Sequence, residues 1–112
     1  MAEIAILGYG TVGSGVAELF DDNRKNIIQK TGKDISVKYI LDIRDFPGNR
    51  FENKIVHDFG IIENDDSVEV VVETIGGVGA AFEFTKRALS KGKHVVTSNK
   101  ELVSEKGDEL FR

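Results

Sequence analysis

A doubly wound α/β domain, with a mainly parallel sheet of about five strands and helices on both faces, is what this sequence predicts. Three observations predict it. Short apolar runs alternate along the chain with longer amphipathic stretches, the pattern of repeated strand–helix units. A run of glycines stands where the first apolar run gives way to the first amphipathic stretch. The chain has 112 residues, of which 40% are hydrophobic, seven of them Phe, which is enough for one core and short for two.

The elements follow in order. Glu3 to Leu7 is short, apolar and ended by glycine, so it predicts a buried strand. Thr11 to about Lys30 predicts one helix, with Val12, Val16, Leu19, Phe20 and Ile27 along one face. Gly32 is placed to cap its C-terminus. Ile35 to about Ile43 is the second strand, and Pro47-Gly48 lies in a turn or loop over Asp45 to Arg50. A weak third strand falls near Lys54 to His57. The acid-rich stretch Gly60 to Ser67 predicts a short solvated connection. Val68 to Glu73 is a strand rich in β-branched residues. Ala80 to Lys91 is a helix with Ala81, Phe84, Ala88 and Leu89 on one face, closed by Gly92. Lys93 to Thr97 is the fifth strand, and Glu101 to Arg112 is helical again. That last helix lacks a capping signal, so the expectation is a domain over 1–112 cut from a longer chain. The expected strand order is 3-2-1-4-5.

Composition excludes several classes. The longest apolar runs are far below the ~18 residues of a membrane span, and the N-terminus has no secretory pattern. The net charge of -4 argues against a nucleic-acid partner, which usually selects a basic surface. There is no cysteine, so disulfides and thiolate chemistry are out, and the expectation is a cytoplasmic protein.

Gly8-Tyr9-Gly10-Thr11-Val12-Gly13 is a G-x-G-x-x-G run between a strand and a helix. Gly8 permits the tight turn. Gly10 lets a pyrophosphate approach the backbone, and Gly13 lets the helix pack close to the strand. The free amides near Thr11 and Val12 then meet phosphate with donors and the positive end of the helix dipole. This context predicts a Rossmann-type fold and dinucleotide binding. A Rossmann fold that binds NAD carries an acid after the second strand for the ribose hydroxyls. Asp42 is the candidate, although it lies 29 residues past Gly13 against the usual ~20. Arg44 suits a 2′-phosphate instead. Asp42 and Arg44 project to the same side of an extended chain, so a salt bridge between them is the alternative, and NAD or NADP stays open. Gly76 and Gly77, after the fourth strand, let backbone pass close beneath a cofactor. Lys100, after the fifth, can donate to a carbonyl oxygen and stabilise charge that builds on it.

Other groupings carry less. His57 and His94 lack spaced partners for a metal, so no metal site is expected. His57-Asp58 suits a base with its orienter but sits in a weak strand, so a structural or surface role is the expectation. Ser14 lacks the pattern of a nucleophile elbow.

Three blocks carry a family resemblance. Gly8 to Val16, Val72 to Gly77 and Gly92 to Lys100 resemble, in sequence, order and separation, the N-terminal half of homoserine dehydrogenase. The likeness covers essentially the whole chain. The last block is the most specific, although the family typically has Ala where this chain has Ser98. The resemblance implies a cytoplasmic oxidoreductase of threonine and methionine biosynthesis that interconverts L-homoserine and L-aspartate 4-semialdehyde with NADP or NAD. It implies that Gly8 to Gly13 hold the pyrophosphate and that Arg44 reaches the adenosine phosphate. It places Ile75 and Gly76 near the nicotinamide, Asn99 among the cofactor-binding residues, and Lys100 between nicotinamide and substrate. It also implies a catalytic domain and homo-oligomer contacts outside these residues, so the isolated segment would be inactive. Two alternatives stand beside it: the cofactor domain of another two-domain NAD(P)-dependent dehydrogenase, and a non-catalytic dinucleotide-sensing module.

Overall fold

The first apolar run forms β1 (Ala2–Leu7), and its side chains alternate between two cores. Ile4 and Ile6 enter one, and Ala5 and Leu7 enter the other, all at most 3% exposed. A strand buried on both faces needs partners on both edges and covering layers above and below. The rest of the chain supplies them. The computed structural model describes residues 2–32, 34–75 and 79–97. In these, β2 (Ile35–Leu41) and β4 (Val68–Glu73) flank β1, β3 (Ile55–Val56) adds to β2, and β5 (His94–Thr97) adds to β4. All four pairings are parallel, so the order 3-2-1-4-5 holds.

The helices divide between the faces. On one side α1 (Thr11–Asp22) and α2 (Arg24–Thr31) cover β1 and β2, with Ala17 buried beside Ile4, Ile6 and Ile40. On the other, α3 (Phe59–Glu63) and α4 (Gly79–Ser90) pack Phe59, Ile62 and Ala88 against Leu7, Leu41 and Val71.

Several predicted elements are corrected. The single first helix is two, divided at Asn23. There the side-chain amide and the backbone N–H both donate to the Leu19 carbonyl, the local competition that makes Asn a poor helix interior. The predicted helix face is also narrower: Val12 and Leu19 are mostly exposed, and small Gly13 and Ala17 make the close approach. The second strand stops at Leu41, because Asp42 turns its carboxylate inward and Ile43 lies in solvent. The third strand is two residues long. The stretch 60–67 is not merely solvated: it holds most of α3, whose Ile62 is fully buried. The helix expected over 101–112 lies outside the described residues.

Candidate functional site

The carboxyl ends of β1, β2 and β4 meet at one cleft of about 560 Å³. Its floor is the glycine turn. Gly8 adopts φ +95°, a conformation that glycine takes without strain. Its N–H donates to the Leu41 carbonyl at 2.7 Å. From the other flank, the Thr74 hydroxyl donates to the Leu7 carbonyl at 2.7 Å and contacts the Gly8 carbonyl at 3.1 Å. The turn is thereby pinned to both neighbouring strands. At Gly13 a Cβ would stand 1.9 Å from the Gly8 carbonyl oxygen, so only glycine lets α1 start this close to β1. Gly10 differs. Its φ of −83° suits any residue, and a Cβ there would meet nothing within 4 Å. The fold does not need a glycine at Gly10; an approaching ligand would.

Helix α1 starts at this turn without a side-chain cap, and its first backbone bond runs from Ser14 N–H to the Gly10 carbonyl at 2.9 Å. The amides of Thr11, Val12 and Gly13 precede that bond, so they are the orphan donors of a helix start. Orphan donors beside an open glycine and a cleft of this size fit a bound anion such as a pyrophosphate.

Asp42 organises the opposite wall. It is 9% exposed. Its Oδ2 accepts from the Tyr9 N–H at 2.9 Å and from Arg44 Nη2 at 3.0 Å. Its Oδ1 accepts from the Arg44 N–H at 2.9 Å and from Arg44 Nε at 3.0 Å. The Arg44 hydrogen bond is the leading cause that lowers the carboxyl to about 2, and the Tyr9 and Arg44 backbone amides add to it against burial. The carboxylate predicted for ribose hydroxyls is thus committed to four protein donors. The salt bridge that was the alternative is what forms. Arg44 remains 60% exposed beyond it, lies 5.1 Å over the Phe46 ring and keeps N–H groups for a second acceptor. Tyr9 locks this wall: its ring meets Phe46 and Phe51 edge-on, and its hydroxyl donates to Asn49 at 2.9 Å.

Sequence reasoning missed the aromatic set Tyr9, Phe46 and Phe51, whose signal lay in the aromatic residue inside the glycine run. It also missed the buried Glu73, whose carboxylate accepts from the Ile75 N–H and from the Thr97 hydroxyl and joins the ends of β4 and β5. His57 lines the cleft, but its ring meets Asp42 and Asp45. Asp58 instead caps α3 by accepting from Gly60 N–H. His57 and Asp58 are therefore not a base with its orienter, and Asp58 has the structural role of a cap. Ile75, Ala80 and Phe84 give the far wall an apolar surface. Gly76, Gly77, Asn99 and Lys100 lie outside the described residues.

A parallel sheet in the order 3-2-1-4-5, with a glycine turn at its switch point and helix amides open to a cleft, defines a dinucleotide-binding domain of the Rossmann class. A family model described as the NAD binding domain of homoserine dehydrogenase matches residues 8–112, and the chain belongs to that family. A homoserine dehydrogenase of Neisseria gonorrhoeae is 38% identical over 111 residues, which are 96% of this chain and 25% of the relative. That of Bacillus subtilis is 35% identical over 113 residues, 96% of this chain and 26% of the relative. A crystal structure of S. aureus homoserine dehydrogenase superposes with a TM-score of 0.87 at 38% identity, covering 97% of this chain and 29% of that one. The chain therefore spans about a quarter of the length of the curated relatives it matches.

Proposed function

We propose that this domain holds NADP or NAD for a homoserine dehydrogenase, an oxidoreductase that interconverts L-homoserine and L-aspartate 4-semialdehyde. The observation that carries the cofactor half is the open Gly10 beside the uncapped amides of α1. The relatives' shared name supports the substrate half.

In this reading Gly8, Gly10 and Gly13 shape the turn, and the Thr11 and Val12 amides bind the pyrophosphate. The exposed side of Arg44 receives the 2′-phosphate when one is present. Asp42 holds Arg44 and the turn in place rather than binding ribose. Ile75, with Gly76 after it, lies under the nicotinamide, and the wall of Ala80 and Phe84 excludes water there. The cofactor supplies hydride transfer. Asn99 and Lys100 follow β5 after Ser98 in sequence; Lys100 orients the reacting groups and stabilises the oxygen that alternates between aldehyde and alcohol. Glu73 ties the strand end that leads to them.

When the domain is assayed within a chain of the relatives' length, L-homoserine should be oxidised with NADP or NAD as acceptor. Oxidation of other alcohols with no turnover of homoserine would overturn the substrate assignment and leave the cofactor assignment standing.

A further inference from the structure

The cofactor reading leaves His57 without a task. Its half-exposed side chain lies on the wall of the cleft, directly after β3. Nδ1 stands 2.7 Å from the Asp42 carbonyl oxygen, and Nε2 stands 2.8 Å from Asp45 Oδ1. A carbonyl and an ionised carboxylate accept and do not donate. A neutral imidazole has one N–H and one lone pair, so in either tautomer one contact sets a lone pair against an oxygen. Only the imidazolium, donating from both nitrogens, satisfies both. The same contacts, that with the Asp42 carbonyl first and that with Asp45 second, hold the ring above the ordinary histidine pKa.

From the end of β2 comes the Asp42 carboxylate, already paired with Arg44. From the segment after β2 comes Asp45, whose side chain is 81% exposed. Arg44 lines the same cleft. On the ring's own segment, Asp58 is engaged with Gly60 N–H. With the ring charged, the two pairs Asp42–Arg44 and Asp45–His57 carry no net charge. When it loses its proton, the Asp45 carboxylate is left uncompensated at the end of the cleft that holds Arg44.

We infer that His57 determines cofactor specificity: as an imidazolium it fastens the Asp42–Asp45 turn and offsets Asp45, so the cleft accepts a dinucleotide bearing a 2′-phosphate, and as a neutral ring it leaves a carboxylate that repels one. The inference rests on the cofactor reading above and adds a pH dependence that a dinucleotide without that phosphate does not share.

The test titrates this chain with NADPH and with NADH across pH 6 to 9, for the wild type, His57→Gln and Asp45→Asn, and follows the His57 imidazole by NMR over the same range. The ratio of NADPH to NADH affinity in the wild type should fall about fivefold more than in His57→Gln, with a midpoint at the His57 titration. The phosphate's own ionisation is common to all three proteins and cancels in the comparison. Asp45→Asn should lower the His57 titration and flatten the ratio towards that of His57→Gln. Identical profiles for wild type and His57→Gln, or a ring titrating no higher than free histidine, would overturn the inference while NADH binding upholds the cofactor reading. Failure of both dinucleotides to bind at any pH would overturn both.

Discussion

Gly10 and Gly13 sit three residues apart in one motif and answer to different demands. Gly13 is required by the protein itself, because its Cβ would stand 1.9 Å from a backbone carbonyl oxygen. Gly10 has open space around it. Gly13→Ala should therefore destabilise the fold by about 3 kcal/mol. Gly10→Ala should leave stability within about 0.5 kcal/mol and weaken dinucleotide binding at least tenfold. Urea unfolding and a binding titration on the same two variants separate these effects, and equal losses of stability would contradict the assignment. Asp42 makes a second residue-level case. Its folded pKa is depressed to about 2, so the stability it contributes is present above the ordinary carboxylate range and is lost as pH falls through about 2. Asp42→Asn should cost about 2 kcal/mol at pH 7, and chemical denaturation should show that difference narrowing as pH falls from 4 towards 2. At this scale the sequence was legible where chemistry is local. The glycine pattern, the left-handed Gly32 and Gly92, and the Asp42–Arg44 alternative all follow from neighbours in the chain. The contacts of Tyr9 with Phe46 and Asn49 span some 40 residues, and no local pattern encodes them.

Elements were legible in proportion to their own periodicity. β4 has the bounds expected, because Val68, Val71 and Glu73 are buried within a segment rich in β-branched residues. β3 and α3 were the poorest, since two and five residues are too few for any period to register. The short α3 exists because Asp58 caps it and because Phe59, stacked on Phe84 at 4.8 Å, anchors it to α4. In α4 one position breaks the apolar stripe. Thr85 is 1% exposed, and its hydroxyl has no hydrogen-bond partner among the described residues. An isosteric methyl removes that unmet polar group. Thr85→Val should raise the stability by roughly 1 kcal/mol, read as a higher denaturation midpoint with an unchanged slope. A lower midpoint would mean that the hydroxyl is satisfied in solution.

For the whole molecule, the order 3-2-1-4-5 explains why one cleft collects groups from so many segments. Parallel strands deliver all their carboxyl ends to the same edge, and the reversal of strand order beside β1 opens the space above the glycine turn. The glycine turn is braced by β2 through Leu41 and by β4 through Thr74, so it is held from both sides. Fold class and strand order were legible because they follow from the alternation of elements and the handedness of crossovers. The separation of apolar from charged walls was not, because it depends on which loops converge. The central claim is that this cleft binds a nicotinamide dinucleotide through the glycine turn. Calorimetric titration of the chain with NAD, NADH, NADP and NADPH tests it most directly. At least one of them should bind saturably at one site per chain, with weaker binding in Gly10→Ala; a folded chain that takes up none of the four would contradict this role of the turn.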